Sequence, residues 1–327
     1  MVQLLASIRD LSVRYRTRDD MSYAVDQVSL DIQRGSVYAL VGESGSGKTT
    51  VGMSLMNLLP DEADILGGEV WFGDKDVLTL NDNELREIRG RRATMIFQDP
   101  VAGLNPVIEI GDQVAEVLTT HLDMDKRAGK IAALEILTQV GLPDPQRVAK
   151  SYPFQLSGGM CQRVMIGIAT ALRPELIIAD EPTASLDVTV QAQILHQLDT
   201  LRREQGTAIL LITHDFGVVS QIADEVGVMY AGHLVETGSV RDLLASPVHP
   251  YTHGLLAALP RLDAARQELY ALPGNPPDMN EPSSHCPFIP RCRKAMQQCR
   301  DVGPPQLTPI PGQSGRAVAC YNPVWQE

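Results

Sequence analysis

The 327-residue chain has few aromatic side chains (5%), and only one of its five cysteines lies before residue 286. It has no apolar run near the ~18 residues of a membrane-spanning helix, so no span is expected. No secretory leader precedes the first strand-like segment, which implies a soluble, cytosolic chain whose role at any membrane comes through a partner. Positive charge is also scarce: 28 Lys and Arg stand against 40 Asp and Glu, a net charge of −12. That balance excludes a broad, sequence-independent grip on nucleic acid. The hydrophobic fraction of 44% supports a sizeable core and excludes wholesale disorder. At ~100–200 residues per domain, the length predicts about two domains. No internal repeat is evident.

Composition shifts near Pro260. The last 68 residues hold 12 of the 22 prolines and carry a net charge of +1, so the part before them carries −13. Four cysteines, Cys286, Cys292, Cys299 and Cys320, fall in this tail. The shift predicts a globular body over 1–259 and a loop-rich, cysteine-bearing extension over 260–327.

Within the body, short apolar runs end in polar or glycine-rich residues. They are Val37–Val41, Thr94–Phe97, Leu176–Ala179, Ala208–Ile212 and Val226–Tyr230. Their length and branched content suit strands buried on both faces. Between them, helical spacing predicts helices over Lys130–Val140, with Ile131, Leu134, Leu137 and Val140 on one face and Gly141 as the stop, over Met160–Leu172 and over Val190–Arg203. The alternation predicts an α/β fold with a mainly parallel sheet. In such sheets ligands gather at the carboxyl ends of the strands.

Chemistry-bearing residues follow those ends. After the first run, Gly42-Glu43-Ser44-Gly45-Ser46-Gly47-Lys48-Thr49 fits the phosphate-binding loop, whose glycines turn backbone N–H groups toward an anion. In that role Lys48 reaches the β- and γ-phosphates and Thr49 ligates Mg²⁺. Asp180-Glu181 follows another run; such a pair holds a magnesium shell and orients an attacking water. Gln98 offers an amide that touches both magnesium and water. His214 offers an imidazole that senses the γ-phosphate. Ser157-Gly158-Gly159 opens a helix and makes a second anion site in the same chain.

In order and spacing, the phosphate loop, Gln98, Leu156–Gly159, Asp180-Glu181, Ser185-Leu186-Asp187 and His214 resemble the ATP-binding subunits of ABC transporters, over roughly residues 3–260. The resemblance implies a P-loop ABC nucleotide-binding fold, with an antiparallel N-terminal β part and a helical subdomain over roughly 99–172. It further implies that two such subunits pair head to tail. Each ATP then lies between the loop of one (Ser44, Gly45, Ser46, Gly47, Lys48, Thr49, Thr50) and Ser157, Gly158 and Gly159 of the other. Asp187 communicates between the two sites. Tyr15 stacks on adenine, with Tyr23 the alternative. Cys161 departs from the polar or basic residue the family often has there, and is expected to be an ordinary helix residue. The loop from Gln98 to Pro106 is expected to line a groove for a cytoplasmic helix of a membrane subunit.

His249-Pro250-Tyr251-Thr252 and the apolar run to Pro260 resemble the dipeptide/oligopeptide permease branch. His249 is expected to be structural. The cysteines space as C-x5-C-x6-C-x20-C, wider than the C-x2-4-C knuckles usual for zinc. A cytosolic chain is not expected to hold stable disulfides. Four thiolates suit an iron–sulfur cluster, with Arg291, Arg293, Lys294 and Arg300 offsetting its charge; zinc or free buried thiols are the alternatives. Related tails hold a four-iron cluster, and the resemblance implies [4Fe-4S] on the four cysteines.

The expectation is an ATPase subunit of a peptide importer at the cytoplasmic face of the inner membrane. Its partners are a second ATPase subunit, two membrane-spanning permease subunits and, indirectly, an extracytoplasmic solute-binding protein, with no nucleic acid. Rival readings are uptake of nickel chelates, glutathione or antimicrobial peptides, a soluble non-transport ABC ATPase, and a redox-sensing regulator.

Overall fold

The computed structural model describes residues 3–17, 20–184, 186–259 and 272–324. The sequence boundary at Pro260 and Ser185 of the Ser-Leu-Asp motif lie outside the described residues. The chain divides into two compact units interleaved in sequence.

The first unit comprises residues 32–37 and 79–212 with the first few residues of the chain. Its sheet is parallel: Leu176–Asp180 lies between Ala93–Ile96 and Ala208–Thr213. Leu176–Asp180 and Ala208–Thr213 are buried at every position, which is why they read as unbroken apolar runs without alternation. Helices Ile110–His121, Lys126–Gln139, Pro145–Ala149 and Gly158–Thr170 come from the segment between two of these strands. The helix Val188–Gln205 follows Leu176–Asp180 and stops at Gly206, which has a φ of +69°. At the amino end of the central strand, Glu175 takes Arg34 at 2.6 Å and Arg92 at 2.5 Å.

The helix expected over Lys130–Val140 spans Lys126–Gln139, and of its predicted apolar face Leu137 and Val140 are buried while Ile131 needs correction. Gly129, Ala133 and Leu137 are the buried residues, while Ile131 is 55% exposed. Gly129 lies against Ala115 and Thr119 of the neighbouring helix, so small residues make the close contact there. The strand expected to run to Phe97 ends at Ile96, and Phe97 is exposed.

The second unit comprises residues 6–31, 38–78 and those from 213 onward. An antiparallel sheet orders Met21–Gln33, Leu4–Arg16, Ala63–Phe72 and Lys75–Asp76. Beside it, Val37–Val41 runs parallel to Glu225–Tyr230, which turns back antiparallel into His233–Ser239. The C-terminal extension does more than loop: Ala317–Val318 pairs with Glu236 and Thr237 and carries Thr308–Pro309 on its other side. A core of Ala39, Val41, Val226, Val228, Tyr230, Tyr251 and Phe288 joins strand residues to the extension.

Candidate functional site

In the second unit, Val37–Val41 delivers the chain into the phosphate loop. Gly42 and Gly47 are required by space. A Cβ on Gly42 would stand 2.2 Å from the Met229 carbonyl oxygen, and one on Gly47 would stand 2.1 Å from that of Ala24. Gly47 also has a φ of +99°, a region L side chains rarely adopt. Lys48 is buried, and its Nζ donates to the carbonyls of Gly42 (2.8 Å) and Glu43 (2.9 Å), bridging the mouth of the loop. Ser44 and Gly45 are exposed on the rim; Ser46 and Thr50 are buried, and Thr49 is half-buried. The Tyr15 hydroxyl lies 3.1 Å from Thr50 Oγ1, which sets this ring beside the loop. Tyr23 instead sends its backbone N–H to Met279, 2.7 Å away. His214 is exposed, just past the strand end, and Thr213 Oγ1 accepts the Asp215 N–H at 3.1 Å.

In the first unit, Asp180 is the buried last residue of its strand and Glu181 is the next. Glu181 has a φ of +47°, and its N–H donates to Ile212 at 2.9 Å. Left-handed backbone at a non-glycine residue is strained and concentrates at functional positions. Ser157 caps the helix Gly158–Thr170 by accepting the Met160 N–H, and Ser157 and Gly158 are exposed. Nothing lies within 4 Å of a Cβ built on Gly158, so this helix start is open to an incoming group. Gly159 lies in ordinary contact range of Leu186 and Val190. Asp187 caps Val188–Gln205 through the N–H groups of Thr189 and Val190. Gln98 is exposed, and Asp99 folds the loop behind it by accepting from Val101 and Ala102. Cys161 is fully buried in its helix, with burial pushing its thiol up, in keeping with an ordinary helix residue.

Cys286, Cys292, Cys299 and Cys320 line a single cavity together with His249, Phe288 and Lys294. By kind and number the donors suit a metal centre. The space is small, however, about 10 Å³, the margin for one water. Among the described residues no group of three or more His, Cys, Asp or Glu side chains is arranged to hold a metal ion. Burial pushes the Cys286 thiol up to about 11 and the Cys320 thiol up to about 12. His249 is the structural residue expected. It is buried, its Nδ1 accepts the Tyr251 N–H at 3.0 Å, and burial holds the imidazole down at about 3, which keeps it a neutral acceptor.

Sequence reasoning assigned Arg291 to the charge of a cluster. It points elsewhere: Nη1 and Nη2 grip the Glu43 carboxylate of the phosphate loop at 2.7 and 2.9 Å. Lys294 likewise donates to the Pro323 carbonyl at 2.7 Å. Glu43 was missed because it occupies a variable position of the loop motif and its partner lies 248 residues away.

The model for ABC transporter matches residues 25–184, and that for the oligopeptide/dipeptide transporter C-terminal region matches residues 235–299. The chain is 45% identical to the dipeptide transport ATP-binding protein DppD of Bacillus subtilis (strain 168), over 93% of this chain and 91% of that protein. It is 44% identical to the oligopeptide transport ATP-binding protein OppD of Escherichia coli (strain K12), over 98% of this chain and 94% of that one. The ATP-binding cassette MJ0796, solved as a dimer in a post-hydrolysis state with ADP and Pi, superposes with a TM-score of 0.66 at 29% identity, covering 72% of this chain and 99% of its own. With its phosphate loop, mixed sheet and antiparallel N-terminal sheet, the chain belongs to the ABC ATPases of the oligopeptide/dipeptide transporter family.

Proposed function

We propose that this chain is the ATP-hydrolysing subunit of an importer for dipeptides or oligopeptides, seated on the cytoplasmic face of the membrane against two permease subunits. The observation that carries the cargo class is the match of residues 235–299 to the C-terminal region of oligopeptide/dipeptide transporters. In this reading residues 1–259 are the ATPase domain, with a helical subdomain over 99–172, and 260–327 are the extension. The solute is selected by an extracytoplasmic binding protein and the permeases.

ATP is held where two subunits meet. The loop N–H groups and Lys48 take the β- and γ-phosphates, and Tyr15 stacks on adenine. Ser157, Gly158 and Gly159 of the second subunit approach the γ-phosphate from outside. Their exposure and the open helix start support this reading, because a site completed by a partner must present its donors at the surface. Thr49, Gln98 and Asp180 are the residues that would hold Mg²⁺, which would neutralise phosphate charge. Glu181 orients the attacking water and accepts its proton, His214 contacts the γ-phosphate, and Asp187 relays between the sites. The exposed apolar residues Phe97, Val101 and Val107 suit a groove for a permease helix. ATP draws two subunits together and phosphate loss lets them part. Among the described residues no helix is long and apolar enough to cross a membrane.

Cys286, Cys292, Cys299 and Cys320 are the residues that would hold a four-iron cluster in this reading, which their convergence on one cavity and the Asn322 N–H placed 3.4 Å from Cys320 Sγ support. The cavity must widen to seat it. An absorption spectrum of anaerobically purified protein tests the cluster; iron-free protein with four titratable thiols overturns it. Purification from detergent-solubilised membranes, with peptide and nickel uptake measured after deletion, tests the function. Co-purification of two permeases with loss of peptide uptake is expected. Loss of metal uptake alone, or extraction with ribosomes, overturns it.

A further inference from the structure

The phosphate loop is not self-supporting; residues from the C-terminal part of the chain hold it at its second position. Glu43 presents both carboxylate oxygens to the Arg291 fork, and its backbone N–H donates to the Tyr251 hydroxyl at 3.0 Å. Arg291 is 6% exposed and the Glu43 side chain 28%, so the pair is buried on its arginine side and partly open on its carboxylate side. A bidentate guanidinium–carboxylate pair is directional and fixes orientation as well as charge.

Arg291 is itself fixed by the cysteine segment. Its Nε donates to the Pro273 carbonyl at 3.0 Å, its backbone N–H to Phe288 at 3.0 Å, and its guanidinium lies over the Tyr230 ring at 5.7 Å. Phe288 packs edge-on against Tyr230 (5.2 Å) and Tyr251 (5.5 Å). Cys292 follows Arg291 directly, and its N–H donates to Ile289 at 3.2 Å. A short, tightly turned path therefore runs from the cysteine cavity through Phe288 and Arg291 to Glu43. On the loop side, Glu43 O and Gly42 O both accept from Lys48 Nζ. Turning Glu43 re-aims the carbonyl that positions the phosphate-binding lysine. Beside this clamp, a cavity of about 250 Å³ is walled by Ser44, Gly45 and Ser46 on one side and Pro277, Asp278 and Met279 on the other.

We propose that Arg291 is a positioning residue for the phosphate loop, and that through the Arg291–Glu43 pair the cysteine-bearing extension sets the affinity of this subunit for ATP. The extension is then a regulatory element acting on the loop from behind, and rearrangement at Cys292 reaches the nucleotide without any group of the extension touching it. The proposal rests on ATP being bound at the loop.

The test is equilibrium binding of MgATP to the full-length chain, with a melting temperature for each variant. Arg291→Met and Glu43→Gln should each weaken ATP about five- to tenfold. The double variant should be no weaker than either single one, because both remove one interaction. Arg291→Lys should recover part of the loss, since one charged contact remains. Cys292→Ser, which disturbs the segment without touching the loop, should shift affinity in the same direction. In the assembled transporter the KM for ATP should rise with little change in kcat. Unchanged affinity in a folded Glu43→Gln or Arg291→Met protein overturns the proposal. So do strictly additive losses, or losses that track melting temperature with no rescue by Arg291→Lys. If Arg291→Met fails to fold, Glu43→Gln, altered on a half-buried loop, decides alone. Lys48→Ala separates the two readings: if it binds ATP like the parent, the loop assignment fails, and not the clamp.

Discussion

Arg316 and Glu236 form a buried ion pair: Arg316 Nη2 donates to Glu236 Oε1 at 2.9 Å, with side-chain exposures of 3% and 0%. The same carboxylate accepts the backbone N–H groups of Val248 (3.0 Å) and His249 (2.9 Å). One acidic residue in the strand His233–Ser239 thus anchors both the end of the extension and the start of the helix Pro250–Ala257. Removing one partner of such a pair strands the other charge in a dry site, at a cost of about 3–5 kcal/mol. Glu236→Gln should therefore lower the unfolding free energy by that order in urea titration of the full chain. Replacing both partners with methionine should be far milder. Equal destabilisation by the single and double variants would contradict the assignment of the cost to a stranded charge.

A second prediction concerns acid stability. Burial pushes the Glu175 carboxyl upward, but hydrogen bonds and charge from Arg92 and Arg34 outweigh it and hold the group below its ordinary 4.5. A carboxylate depressed on folding contributes stability that is present above about pH 4.5 and is lost as pH falls through the folded value. The groups are partly open to solvent, so screening limits the contribution to about 1 kcal/mol. Glu175→Gln should be less stable than the parent by about that amount at pH 7. The gap should close in more acidic buffer, where the parent carboxyl is protonated too. Melting temperatures at stepped pH check this; a gap that does not narrow as pH falls would point to lost packing instead.

Gly47 carries a third. An alanine there must adopt a φ near +99° and place its Cβ 2.1 Å from the Ala24 backbone oxygen. Backbone cannot swing aside as a flexible side chain can, so the loop must change shape. Gly47→Ala should lose about five- to 150-fold in ATP affinity, from strain of the order of 1–3 kcal/mol. Far-UV circular dichroism should stay near the parent, because the strands around the loop do not depend on this residue. Parent-like affinity would mean that the loop tolerates a different path.

The elements legible in the sequence share one property: their environment is uniform along their length. Val37–Val41 and Ala208–Thr213 are buried throughout, so composition alone marks them. The phosphate loop is legible because its glycines are dictated by the backbone itself. Ile131 misled because a helix that packs through Gly129 and Ala133 hides its contact face from a hydrophobicity count. Arg291 misled for another reason. Proximity to cysteines in sequence suggested one partner, while the fold supplied another, Glu43, 248 residues away. Long-range ion pairs leave no periodic trace. The short strands Thr308–Pro309 and Ala317–Val318 were illegible too, since two residues carry no pattern.

Glu181 bears the fourth prediction. It leaves a buried strand with a φ of +47°, its N–H fixed to Ile212, so its backbone is set by the sheet and not by its carboxylate. Glu181→Gln changes only the side-chain end group and should keep that geometry. An amide cannot accept the proton of an attacking water, so hydrolysis should fall at least about hundredfold, the usual scale for a lost general base. ATP binding should stay within about twofold of the parent, because the loop around Lys48 is untouched. Binding without hydrolysis should hold paired subunits together, and size-exclusion chromatography with MgATP should show a stable dimer that ADP does not support. Rapid turnover by this variant would move the base elsewhere. Lost binding would mean that Glu181 holds the loop or the magnesium shell, and that its strained backbone serves position more than proton transfer.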